Sequence, residues 1–132
     1  MSIFPTKILL ATYSSKDAEL ARTTAADIAT TTDSELHIVT VASGYSLYEG
    51  YPSHDLRIPE VVEQLRKRAQ IILDEQVQKI ERDGGSVAQK HLKIAKLTAE
   101  RHRAQQILRV AEEIEAGLIV MGSRGRGGSG GL

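Results

Sequence analysis

Residues 117–132 read GLIVMGSRGRGGSGGL. Four apolar residues, Leu118 to Met121, are followed by a run dominated by glycine that also carries Arg124 and Arg126. An unbroken apolar run of this length predicts a strand covered on both faces, as in a parallel sheet. Glycine at the carboxyl end of such a strand lets backbone approach a ligand closely, and successive N–H groups can form an anion-binding nest. The two arginines add donors suited to phosphate. On composition alone, a flexible surface tail accounts for the same residues.

Working back from that strand, the rest of the chain alternates. Lys7 to Thr12, KILLAT, is a second compact apolar run without alternation. Ser14, with Asp17 three residues on, gives a helix-start signal, and Ala21, Ala25, Ile28 and Ala29 share one helical face. Thr30 to Ser34 reads as a polar breaker, and Leu36 to Ala42 as a strand. Gly44 to Pro59 reads as a loop, with Pro59 suited to a first helical turn. Val62, Leu65, Ala69, Leu73, Val77 and Ile80 form a long stripe, which Gly84-Gly85 end. Val87 to Leu97 predicts a strand with Leu92 and Ile94 on one face. Ala104, Ile107, Leu108, Ala111 and Ile114 predict a helix ended by Gly117. The order β-α-β-α-β-α-β implies an α/β domain, an open parallel sheet with helices on both faces. At 132 residues it is one domain.

Composition excludes several classes. Lys plus Arg and Asp plus Glu are both 17, so there is no basic excess for general nucleic-acid binding, and aromatics are few. No cysteine is present, which removes disulfides and thiolate metal sites and fits a reducing compartment. The start of the chain is too weakly apolar for a signal peptide or membrane span, and a cytoplasmic location is expected. His37, His54, His91 and His102 show no metal-ligand spacing, so no metal site is predicted. The pairs Asp74-Glu75 and Glu112-Glu113 read as solvated helix faces. Gly125-x-Gly127-x-x-Gly130 fits the dinucleotide fingerprint but lacks the helix and acidic residue that must follow. Gly127-x-Ser129-x-Gly131 fits a hydrolase elbow but lacks a downstream Asp and His. A P-loop needs Gly-Lys-Ser/Thr, and the last lysine is Lys96. No catalytic residue is assigned.

In open α/β sheets, ligands bind at the carboxyl ends of strands where the strand order reverses. If the first and fourth strands are neighbours, Thr12 to Ser15 and the glycine run line one crevice.

ILLAT, SELHIVTVA and ILRVAEEIEAGLIVMGSRGRGG together resemble the universal stress protein family, over nearly the whole chain. The resemblance implies a Rossmann-like five-stranded parallel α/β fold, of which the last helix and strand are expected to be absent here. It implies binding of ATP or AMP, with or without Mg²⁺, and a homodimer acting through a protein partner whose identity is open. Gly122 and Gly125 match the first half of the family's phosphate motif, and its third glycine would fall beyond Leu132. By the same resemblance, Met121 packs under the adenine, backbone groups at Val41 read its edge, and Ala11 and Thr12 form the opposite wall. Arg124 lies in the phosphate loop. Tyr13 stands where the family pattern Ala-Thr-Asp-Gly-Ser has its acid, so a phenol replaces a carboxylate contact. Two other classes stay open: a dimeric stress protein that binds no nucleotide and serves as an interaction module, and an adenylate-forming or pyrophosphatase-type enzyme. The enzyme class needs a metal-binding carboxylate or basic catalytic group near the phosphates, and the sequence offers only the arginines.

Overall fold

KILLAT is apolar at successive positions because both of its faces are covered. Ile8, Leu9 and Leu10 are all fully buried. Ile8 and Leu10 point into one core, Leu9 and Ala11 into another on the opposite side of the sheet. The computed structural model describes residues 3–12, 19–43, 59–95 and 100–122. Within them the order is β1 (Lys7–Thr12), α1 (Glu19–Thr32), β2 (Glu35–Ser43), α2 (Pro59–Arg82), β3 (Gln89–Ala95), α3 (Glu100–Ile114) and β4 (Leu118–Met121). The strands form one sheet in the order β3-β2-β1-β4, and every pairing is parallel.

Right-handed crossovers then decide which face each helix covers. The chain steps from β1 to β2 to β3 in one direction, and α1 and α2 pack on one face against Ile8, Leu10, Leu36 and Ile38. The step from β3 to β4 reverses direction and jumps past β2 and β1. Its helix, α3, therefore packs on the other face, where Ile107, Val110, Ala111 and Ile114 meet Leu9, Val39 and Val41.

Boundaries agree closely with the sequence reading for β1 and β4. β2 gains one residue at each end. β3 starts two residues later than expected, at His37↔Gln89, and is described to Ala95; Lys96 and Leu97 of the expected strand lie outside the described residues. The Ser14 start signal and the Gly44–Ile58 loop lie outside the described residues.

Three corrections concern helix ends and faces. Thr30 to Thr32 are helical rather than a breaker. The break is Asp33, in the left-handed region at φ 57°, and Ser34 N–H donates to Ala29 O at 2.8 Å. That six-to-one bond is a Schellman cap built on a non-glycine residue. The same cap ends α2 at Gly84 (φ 94°), as the glycine pair predicted. It also ends α3, but at Glu115 (φ 58°) with Ala116 N–H donating to Ala111 O, not at Gly117. The inward face of α3 is also rotated by about one residue from expectation. Ala104 and Leu108 are exposed, while Arg103 and Val110 are buried. Asp74, expected on a solvated face, is half-exposed and pairs with Lys90 of β3 at 3.2 Å. A hydrogen bond from Gln70 is the main reason its carboxyl is held below the usual range; Lys90 assists, against some desolvation.

Gly117 has a different task. Its N–H donates to Lys7 O at 2.9 Å, and a Cβ there would collide with Thr6 Oγ1 and sit 3.1 Å from Thr6 Cβ. Glycine is what allows β4 to start beside β1. Gly117→Ala is expected to destabilise the domain by about 1–3 kcal/mol, the usual range for a forced overlap, measured by urea denaturation. An unchanged midpoint would show that Thr6 moves aside freely.

Candidate functional site at the carboxyl edge of the sheet

The strand order reverses between β1 and β4: the chain steps from β1 through β2 to β3 and then returns to the far side of β1. In open α/β sheets a reversal of this kind marks the ligand crevice, at the carboxyl edge. The register fixes its floor. Ala11 pairs with Met121, and Thr12 pairs with Thr40 on the other side. The described β1–β2 ladder ends at that last pair, while β2 continues through Val41, Ala42 and Ser43 beside β3. Val41 therefore stands one residue beyond the ladder it shares with β1. Gly122 follows the last residue of β4 and is half-buried.

The side chains at this edge divide into fillers and exposed groups. Ala11 and Val41 are buried in the α3-side core, so their side chains are unavailable and only their backbone can meet a ligand. Thr12 is also buried. Its Oγ1 lies 2.8 Å from Thr40 Oγ1 and 3.4 Å from Val39 O. With the carbonyl accepting from Thr12, the Thr40 hydroxyl donates to it, and the pair ties β1 to β2 just below the crevice. Met121 contrasts with all of these: it is 45% exposed, in a strand whose other residues are half-buried. An exposed thioether side chain beside glycine is a flexible apolar surface on which a flat ring can rest. Tyr13, Arg124 and Gly125 lie outside the described residues. The sequence reading missed Thr40. Its signal was a lone hydroxyl residue within the apolar run HIVTVA.

The universal stress protein family model matches residues 5–132. The chain belongs to the universal stress protein family. Solved structures agree. A universal stress protein family member from Burkholderia pseudomallei is 26% identical, with a TM-score of 0.66, over 93% of this chain and 85% of that one. A universal stress protein from Archaeoglobus fulgidus is 24% identical with a TM-score of 0.65, over 96% and 82%. A universal stress protein in complex with cAMP is 19% identical with a TM-score of 0.59, over 90% and 76%. No match is found among curated proteins.

In this universal stress protein, other ionisable groups come together away from the crevice. His37, on β2, and His91, on β3, stack with ring centroids 6.0 Å apart. His37 Nε2 meets Glu35 Oε1 at 3.1 Å. Sequence spacing gave no hint of this pairing, because it depends on the β2–β3 register. Among the described residues no group of three or more His, Cys, Asp or Glu side chains could hold a metal, and no helix is long and apolar enough to cross a membrane.

Burial pushes the His91 pKa below its ordinary value; His37 and Lys93 push it the same way, and Glu113 opposes them. The neutral ring is thus favoured in the folded state. Above the unfolded value of about 6.5 the effect is absent, and as pH falls below it the unfolded chain binds the extra proton first. Stability should therefore fall on acidification from pH 7.5 towards 5. The fall should be smaller in His91→Gln, measured by urea denaturation at each pH. Parallel curves for the two proteins would contradict this.

Proposed function

We propose that the crevice at the carboxyl ends of β1 and β4 binds an adenine nucleotide, ATP or AMP, with or without Mg²⁺. In this reading Met121 lies under the adenine, and backbone at Val41 reads its edge. Ala11 and Thr12 form the facing wall through their backbone. Gly122, Gly125 and Arg124 receive the phosphates. The observation that carries the reading is the reversal of strand order between β1 and β4. It brings Ala11 and Thr12 beside Met121 and Gly122 at a mouth where the thioether is exposed. The cAMP bound by one structural neighbour is itself an adenine nucleotide, which supports this choice of ligand class.

The biological role proposed is regulation in a stress response. Nucleotide occupancy alters which protein partner a cytoplasmic homodimer engages, with hydrolysis at most slow. The competing role is a dimeric interaction module that binds no nucleotide. Tyr13 favours that role, since it replaces the acid of the family pattern.

Calorimetric titration with ATP and with AMP separates the two. Binding that is lost in Gly122→Val, where a branched side chain would occupy the phosphate approach, supports the nucleotide reading. A charge-assisted hydrogen bond contributes about 1.5–3 kcal/mol, so Tyr13→Asp is expected to tighten binding roughly tenfold or more. No heat from wild type or Tyr13→Asp at millimolar nucleotide, in a chain carrying the third glycine of the motif, would favour the interaction module.

A further inference from the structure

We propose that the cleft between α1 and the end of α2 is a second ligand site, one that takes a small aminocarboxylate. Its floor is Arg22. This side chain is only 7% exposed, and its Nη1 donates to Gln76 Oε1 at 2.8 Å, on a glutamine that is fully buried. The partner is neutral. Arg22 Nε and Gln76 Nε2 are both buried without a hydrogen-bond partner. A guanidinium stays charged at any pH a protein meets, and a buried charge is ordinarily paired with an opposite one. Here the guanidinium's partner is an amide oxygen, which leaves its charge unanswered, and of the pair Arg22 alone lines the cleft. An anionic group in the cleft would answer that charge.

Arg22 lines a cleft of about 280 Å³, together with Asp27, Thr30, Asp83, Gly84 and Gly85. That is just below the ~300 Å³ at which ordinary small-molecule pockets begin, so the fitting ligand is small. The charges around the cleft narrow the chemistry further. Asp27 and Asp83 are exposed at its rim, and neither carries an ion pair among the described residues. A phosphate dianion reaching Arg22 would meet two carboxylates of its own sign. A simple carboxylate would satisfy the floor and leave the rim unanswered. A molecule with a carboxylate at one end and an ammonium at the other matches both. Thr30 belongs to the last turn of α1, and Gly84 and Gly85 to the turn after α2. The cleft therefore opens towards the amino edge of the sheet, away from the β1–β4 crevice, and does not depend on nucleotide binding there.

The test is an amide chemical-shift titration of the full chain with 4-aminobutyrate, acetate, butylamine and inorganic phosphate in turn. The expected result is saturable shifts at Thr23, Ala26, Thr30, Gly84 and Gly85 with 4-aminobutyrate. Its affinity should exceed that of acetate or butylamine by about fivefold or more, a ratio consistent with a partly exposed ion pair. The double substitution Asp27→Asn and Asp83→Asn, on exposed side chains, should bring 4-aminobutyrate down to the level of acetate and strengthen phosphate. Arg22→Gln should weaken 4-aminobutyrate by about tenfold or more. Equal responses to all four probes, tightest binding of phosphate, or an unchanged ratio in the double variant would overturn the proposal. So would the absence of shifts at about 10 mM, or a crystal soaked in 4-aminobutyrate with only an ordered water on Arg22 Nε.

Discussion

The right-handed crossover governs this molecule. A parallel strand can return to its sheet only through a connection of that hand, so the direction of each step selects the face of the helix that makes it. Two steps one way place α1 and α2 together, and one long step back places α3 opposite. β1 is left at the centre with cores on both sides, which is why Ile8, Leu9 and Leu10 are all buried. The same reversal puts β4 against the side of β1 away from β2, at the switch point where open α/β sheets bind ligands. The position of the candidate site is thus a consequence of how the core is covered.

Local chemistry then determines what stands at that opening. The Thr12–Thr40 hydroxyl pair and the last rungs of the ladder close the floor. Beyond them, among the described residues, stand backbone at Val41, the thioether of Met121 and the bare Gly122. These are the groups on which the proposed nucleotide site rests. Arg22 belongs to another part of the molecule. It sits between two helices on one face, and its charge, paired only with a neutral amide, is the basis for proposing a different ligand there.

Sequence pattern carried most of the architecture, because unbroken apolar runs such as KILLAT and LIVM are a direct signature of strands covered twice. The adjacency of β1 and β4 was the condition for their loops to share a crevice, and the sheet order meets it. What was not legible depended on contacts between distant residues. Asp33 and Glu115 take up left-handed caps that glycine would announce and they do not. Gly117 looked like such a cap, yet it is glycine because Thr6 lies against it. Ala104 and Leu108 are apolar but exposed, and Arg103 is charged but buried, so hydrophobicity alone misplaced the face of α3. Thr40 became part of the candidate site only through its register with Thr12.

The central claim is that the β1–β4 opening is where nucleotide binds. Amide chemical shifts followed during titration with ATP test this position by position. The account predicts saturable changes at Ala11, Thr12, Val41, Met121 and Gly122, with Asp33, Gly85 and Gly117 at the opposite edge unmoved. Saturable changes confined to that opposite edge, or none at millimolar ATP, would contradict it.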